Sequence, residues 1–281
     1  MRRGHWVGPL LACGFVSAFA AAPARGDGPP AAVSARQKSL ERQFRASLDW
    51  YTVFASPDAT TPLPPLSVLR WTNAPRGQEG EPTLLLWADA GRPVALSSVY
   101  PWAGRLVYDC VSLSRGLGLT VKESGRTVWS PATPGVTFKA IPDAPAPASN
   151  PAARLSQMKL LADRFKVTMT GLKADLSDRE EMRLLPKPIY RYAPAAGQTA
   201  PADLIDGAVF AFVQGTDPEA VLLLEAVRSE GRPAWQFAFG RATSAGLIAR
   251  LGNAVVWTAP REFGSYDPKS PTIVLGRPLE P

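Results

Sequence analysis

Histidine and cysteine are nearly absent from this chain of 281 residues, which holds one histidine, His5, and two cysteines, Cys13 and Cys110. Nucleophilic hydrolysis by a Ser-His-Asp or Cys-His arrangement needs an imidazole that accepts a proton near neutral pH. A tetrahedral zinc site needs three or four histidine, cysteine or carboxylate ligands. The sequence therefore excludes His-dependent hydrolysis and His/Cys zinc centres, and it predicts neither a metal nor a cofactor.

Long apolar runs are also scarce, and the one at the start of the chain has the features of an export signal. Arg2 and Arg3 precede a mostly apolar stretch over residues 6–22, which ends in small residues. This pattern predicts a signal peptide over residues 1–26, whose removal takes His5 away. The mature protein is then periplasmic or secreted. A lipoprotein signal ending at Cys13 is the alternative.

Strong charge of one sign is lacking as well. Without residues 1–26 the chain keeps 28 basic and 24 acidic side chains, a net charge of +4. Nucleic-acid binding usually needs a concentrated basic surface, and no glycine-rich phosphate loop is present. We therefore expect an envelope protein or a glycan as partner, and neither nucleic acid nor nucleotide. Membrane contact is expected only through an uncleaved signal or a lipidated Cys13.

Turn-forming residues are abundant, with 23 glycines and 29 prolines. They separate short runs rich in leucine, aromatic and β-branched residues, which is typical of antiparallel strands. In the first part of the chain these runs cover residues 66–72, 83–88, 93–100, 105–112, 117–122 and 127–130. In the second part they cover residues 189–192, 207–213, 220–227, 234–240, 247–251 and 254–258.

Each series of strands follows an amphipathic helix pattern, over about residues 35–51 and again from Leu155 to Met169. The two parts align with offsets of 125 and 128 residues, which predicts an internal duplication. The predicted fold is α+β, with two similar halves, each an amphipathic helix followed by an antiparallel β-meander. We place a flexible tail at 27–34, the halves at 35–130 and 152–281, and a Pro/Ala-rich linker at 131–151.

Two carboxylates lie inside apolar strand patterns, Asp109 and Glu225. Burial raises the pKa of such a group and suits it to general acid catalysis, and a facing pair is the equipment of a glycosidase. Alternation along a half-exposed strand offers a simpler explanation, in which each carboxylate points to water. Cys110, in the same strand as Asp109, is expected to be a buried apolar residue.

A candidate binding surface is Trp102 with its neighbour Arg105, in the predicted turn 101–104. Most other aromatic residues occupy strand positions and are expected in the core. A turn tryptophan either stacks on a sugar or partner, or folds back over the sheet edge.

Two segments carry a resemblance to a known family. They are residues 69–73 (Leu-Arg-Trp-Thr-Asn) with 75–77 (Pro-Arg-Gly), and residues 206–213 (Asp-Gly-Ala-Val-Phe-Ala-Phe-Val) with 215–219 (Gly-Thr-Asp-Pro-Glu). They resemble a family of exported bacterial proteins of uncharacterised function, over most of the mature chain. The resemblance implies a fold, and no reaction, cofactor or functional residue.

The sequence thus predicts an exported, non-catalytic binding or interaction module of the cell envelope. The alternative function is a carbohydrate-active or related hydrolase that uses paired carboxylates such as Asp109 and Glu225.

Overall fold

The computed structural model describes residues 35–72, 80–171, 179–194, 203–262 and 264–280. The predicted signal peptide, with His5 and Cys13, and the tail that follows it lie outside the described residues. So do Asn73 and residues 75–77 of the segments that carry the family resemblance.

Two α-helices occur in the described part of the chain, α1 (Ala35–Ser47) and α2 (Pro151–Ala162). α2 starts where the sequence favours it, because the Asn150 side chain accepts a hydrogen bond from the Ala153 backbone N–H and Pro151 occupies the first turn. Within the described residues, neither helix has the length and apolar character that a membrane crossing would need.

Strands make up most of the remaining structure, and cross-strand pairing is antiparallel throughout the described registers. In chain order they are β1 (Thr52–Phe54), β2 (Leu66–Arg70), β3 (Thr83–Asp89), β4 (Arg92–Trp102), β5 (Arg105–Ser112), β6 (Thr120–Glu123), β7 (Arg126–Trp129), β8 (Lys139–Ala140), β9 (Phe165–Thr170), β10 (Arg179–Glu181), β11 (Arg183–Leu184), β12 (Tyr190–Tyr192), β13 (Leu204–Gln214), β14 (Asp217–Ser229), β15 (Arg232–Arg241), β16 (Gly246–Leu251), β17 (Ala254–Ala259) and β18 (Thr272–Pro278).

These strands form four antiparallel sheets. A five-stranded sheet has the order β18-β5-β4-β3-β2, and a six-stranded sheet has the order β11-β13-β14-β15-β8, with β12 also paired to β13. The smaller sheets are β1-β6-β7 and β10-β9-β16-β17.

The five-stranded and six-stranded sheets pack face to face in the middle of the molecule. Leu84, Leu86 and Leu96 of the first contact Val221 and Leu223 of the second in one buried cluster. The outer face of each central sheet is covered by a smaller sheet and carries its own apolar cluster. Both central sheets are therefore buried on two sides, which explains why Leu84–Leu86 and residues 221–224 are apolar without alternation.

The predicted fold class is wrong. The described chain is mostly β, with 50% of residues in strands and 11% in helices, so it is not a pair of halves that each consist of a helix and a meander. The strands are divided among four sheets, and each central sheet has an edge strand that comes from outside the corresponding predicted half. β18 pairs with β5, and β8, from the Pro/Ala-rich segment, pairs with β15. Neither predicted meander is therefore a closed unit.

Candidate functional site

A cavity of about 1100 Å³ opens at the end of the central sheets where the β4–β5 hairpin lies. Its wall combines aromatic, acidic and hydroxyl side chains with short apolar ones. The lining residues are Tyr51, Trp71, Ser98, Tyr100, Trp102, Ala103, Arg105, Val107, Asp109, Glu123, Asp217, Glu219, Ala242, Thr243, Ser244, Gly264, Tyr266, Val274, Leu275 and Gly276.

Strand alternation builds one side of this cavity. Side chains two residues apart share a face of a sheet, and directly paired residues on neighbouring strands share it too. The pairs across β4 and β5 that line the cavity are Ser98 with Asp109, Tyr100 with Val107, and Trp102 with Arg105.

The six-stranded sheet and two connecting segments supply the other side. Asp217 and Glu219 lie at the start of β14. Thr243 and Ser244 follow β15, and Tyr266 belongs to the connection between β17 and β18. Residues far apart in sequence thus meet because the two central sheets pack against each other.

Asp109 has an unusual environment in this cavity. Desolvation by burial raises the pKa of its carboxyl group from 3.8 to about 6, although the guanidinium of Arg241 opposes the shift. Arg241 is itself bound to Glu262, with a distance of 2.9 Å from Nη1 to Oε2. None of the described residues donates a hydrogen bond to the Asp109 carboxylate. Asp109 is therefore a carboxylate at a cavity wall without a direct partner in the described chain.

Two further polar groups in the wall have no hydrogen-bond partner in the described part of the chain. Trp71 is 4% exposed and Ser98 is 5% exposed. Among the described residues no group pairs with Trp71 Nε1 or Ser98 Oγ. A buried donor without an acceptor destabilises the folded state by about 1–3 kcal/mol, and such groups often mark a site where a ligand or water completes the bonding.

The aromatic wall extends from the interior to the surface. The side chain of Tyr100 is half-buried, and this desolvation, together with the nearby carboxylates of Asp109 and Asp217, raises its pKa. The phenol therefore stays protonated at neutral pH. At the mouth, Trp102 is 60% exposed and Tyr266 is 77% exposed. The cavity thus offers flat apolar faces at its entrance and hydrogen-bonding groups inside.

The predicted binding residues Trp102 and Arg105 both line this cavity. Trp102 is the last residue of β4, next to a tight turn formed by Ala103 and Gly104 with positive φ values of 49° and 73°. The Arg105 guanidinium donates to the backbone oxygen of Gly276 in β18. Arg105 thereby holds β18 beside the cavity and leaves the Trp102 ring exposed.

Glu225, the second predicted carboxylate, belongs to a different site. Its side chain is fully buried and accepts from Arg92 Nε at 2.8 Å, Tyr192 Oη at 3.0 Å and Gln236 Nε2 at 2.7 Å. Arg92 lies six residues before Ser98 on β4, which at about 3.4 Å per residue is roughly 20 Å. The structure therefore does not bring Glu225 to Asp109.

Sequence reasoning missed part of the site. Trp71 was expected in the core, which is correct for its ring, but its place in the cavity wall was not foreseen, and Ser98 was not singled out. Ser98 could have been found from alternation, because Ser98 and Tyr100 occupy one face of the predicted strand 93–100, which leads into the turn with Trp102. Asp217 and Tyr266 carry no such signal, since their positions depend on packing between sheets.

Among the described residues no group of three or more histidine, cysteine, aspartate or glutamate side chains is placed to hold a metal ion. Comparison of the chain with protein-family models, with curated proteins and with solved structures gives no match.

Proposed function

We propose that this protein is an exported, non-catalytic binding module of the cell envelope, and that its ligand is a glycan held in the cavity between the central sheets. The observation that carries the proposal is a pair of buried polar atoms, Trp71 Nε1 and Ser98 Oγ, which lack a partner among the described residues and lie in the wall of an aromatic-lined cavity. A glycan supplies the hydroxyl and ring oxygens that these groups lack.

The mouth of the cavity supports the same ligand class. Carbohydrates present flat C–H faces and a rim of hydroxyl groups, so they suit a site that combines exposed aromatic rings with buried donors and acceptors. Trp102 and Tyr266 provide the rings, while Ser98 and Asp109 provide polar atoms further inside. A volume of about 1100 Å³ accommodates a short oligosaccharide rather than a single sugar.

Calorimetry with β-1,4-linked tetrasaccharides tests this function. Trp102→Ala removes the ring at the mouth, and we expect at least about tenfold weaker binding. Stacking of a flat nucleobase on an aromatic side chain stabilises a complex by about 1–3 kcal/mol, and we expect a similar contribution for the flat face of a sugar. Leu117→Ala is the matched control, since Leu117 is 67% exposed and does not line the cavity. Equal binding by both variants, or no binding of any tetrasaccharide by the parent protein, would contradict the proposal.

Glycan hydrolysis is the second candidate function, and one observation favours it. Asp109, whose raised pKa of about 6 suits a general acid, shares the cavity with Asp217 and Glu219. Hydrolysis would release new reducing ends from a tetrasaccharide, and Asp109→Asn would abolish that release. A protein that binds the tetrasaccharide and leaves it intact over prolonged incubation has only the binding function.

Export rests on the sequence pattern over residues 1–26 and has its own test. Intact-mass spectrometry of the protein from envelope fractions is expected to show the mature chain without these residues. A mass that corresponds to a chain starting at an acylated Cys13 would identify a lipoprotein instead of a secreted or periplasmic protein. Retention of the whole segment on a cytoplasmic protein would contradict export.

A further inference from the structure

The charge of the cavity wall is opposite to the charge of the chain. Over the whole sequence the formal net charge is +7. Among the described residues, the cavity wall nevertheless has four carboxylates, Asp109, Glu123, Asp217 and Glu219, and one guanidinium, Arg105, while Arg277 and Arg241 lie behind Glu123 and Asp109. A cavity with acidic walls concentrates cations over anions.

Asp109 is the carboxylate on which a cation would bind most directly. The Glu123 carboxylate already binds Arg277, with 2.8 Å from Nη2 to Oε1. The cations near Asp109 are engaged elsewhere, since Arg241 binds Glu262 and Arg105 donates to the Gly276 carbonyl. Tyr100, which lies on the paired strand and faces the same cavity, adds no charge at neutral pH. A ligand cation would therefore complete the Asp109 site.

The other unpaired polar groups in the wall near Asp109 need a ligand with oxygen atoms that accept hydrogen bonds, and not a second cation. Ser98 is directly opposite Asp109 in the β4–β5 register, and its hydroxyl lacks a partner among the described residues. The Trp71 indole N–H can only donate. The ligand thus needs a positive charge and a hydrogen-bond acceptor within one small unit, together with an apolar face for Trp102.

We propose, on the basis of the glycan-binding function above, that the cavity selects a glycan with a free amino group, whose ammonium binds Asp109. An amino sugar combines all three requirements, because its ring bears an ammonium, hydroxyl oxygens and a C–H face. A neutral sugar offers Asp109 a hydroxyl donor but no opposite charge, and a hydrogen bond with one charged partner is weaker than one in which donor and acceptor are both charged. A simple polyamine leaves Trp71 and Ser98 without acceptors.

Three tetrasaccharides that differ only at carbon 2 separate these possibilities. The tetramers of glucosamine, N-acetylglucosamine and glucose share one linkage and carry an ammonium, an acetamide and a hydroxyl group, and spermidine serves as a cation without a sugar. By calorimetry near neutral pH and low salt, we expect the glucosamine tetramer to bind the parent protein at least about tenfold more tightly than the other three ligands.

Asp109→Asn is expected to remove this preference, so that the variant binds the glucosamine tetramer no more tightly than it binds the glucose tetramer. Asp89→Asn, at an exposed position at the end of β3 outside the cavity, is the matched control and should keep the preference. Circular dichroism shows whether each variant keeps its strands.

Each negative result of these binding measurements contradicts a different part of the proposal. Equal binding of the three tetrasaccharides overturns the preference for an amine and leaves glycan binding intact. Spermidine binding as tight as that of the glucosamine tetramer overturns the role of the sugar. Absence of binding by every saccharide overturns the proposed function itself.

Discussion

Asp109 lies where its charged form is disfavoured. Burial raises its pKa, and the nearest guanidinium, that of Arg241, is shared with Glu262. The buried thiol of Cys110, next in sequence, behaves as predicted for an apolar residue, is 6% exposed and contacts Ser97. Desolvation raises the pKa of this thiol to about 12, so Cys110 is an uncharged core residue at neutral pH.

The raised pKa of Asp109 predicts a pH-dependent stability. Between pH 3.8 and about 6 the folded protein retains a proton that the unfolded chain has lost, so the free energy of unfolding falls as pH rises. The difference reaches up to about 3 kcal/mol above pH 6. We expect Asp109→Asn to abolish this component and to be more stable than the parent protein at neutral pH.

Urea denaturation at several pH values measures this effect, with Asp89→Asn as the exposed control. Parallel pH profiles for the parent protein and for Asp109→Asn would show that the carboxyl group titrates normally.

Sequence patterns located part of the site at this scale. Asp109, Trp102 and Arg105 were singled out by their residue types in a strand and a turn, and they line one cavity. Glu225 was singled out by the same argument, yet it forms a separate buried network. A single-strand pattern shows that a carboxylate is surrounded by apolar neighbours, but it does not show which groups of other strands face it.

At the scale of elements, the strands follow closely from turn chemistry and composition. Each of the twelve predicted runs overlaps a strand of the structure. The second helix is shorter than predicted, because Phe165 and Met169 belong to β9. Apolar residues four apart lie on one face of a helix, but they also lie on one face of a strand, where every second residue points the same way. In β9 the residues between them follow the strand pattern, because Phe165, Val167 and Met169 are all buried.

β18 was missed because Gly276 and Pro278 interrupt its pattern. Gly276 nevertheless has a specific place in the sheet. Its φ is +151°, and a Cβ atom at this position would lie 2.5 Å from the Leu106 carbonyl oxygen on β5. Only glycine allows the two strands to approach this closely.

Gly276→Ala is therefore expected to lower the free energy of unfolding by about 2–4 kcal/mol, since both the backbone and the β5 contact must shift. Gly116→Ala is the matched control, because a Cβ there meets no atom within 4 Å and the φ is ordinary. Denaturant titration compares the two. Equal stability of the two variants would contradict the close approach of β18 to β5.

At the scale of the whole molecule, a buried ion pair joins the two central sheets. Arg92 of β4 binds Glu225 of β14 with two hydrogen bonds, of 2.8 and 3.0 Å. Both side chains are withdrawn from water, and the longer contacts of Glu225 with Arg115 (3.6 Å) and of Arg92 with Asp203 (3.5 Å) would compensate only part of the charge left behind when one of them is removed. This contact between distant strands could not be predicted from the sequence, because it depends on the relative placement of the sheets.

We expect Arg92→Ala and Glu225→Ala each to lower the free energy of unfolding by about 3–5 kcal/mol. In the double variant the loss should be smaller than the sum of the two, as a double-mutant cycle would measure. Glu181→Ala is the control. Its partner Lys166 is 63% exposed in that pair, and we expect a loss below about 1 kcal/mol. Additive losses at Arg92 and Glu225 would contradict a coupled pair.

The pairing of β18 with β5 has a consequence for the order of events during synthesis. The five-stranded sheet keeps an open edge at β5 until residues 272–278 have left the ribosome, although β2 to β5 emerge more than 150 residues earlier. Until then, the backbone N–H and C=O groups along this edge of β5 have no hydrogen-bond partners and can pair with a wrong strand. An intermediate in which β18 has not yet paired with β5 is therefore the species most prone to aggregation during the folding of this chain.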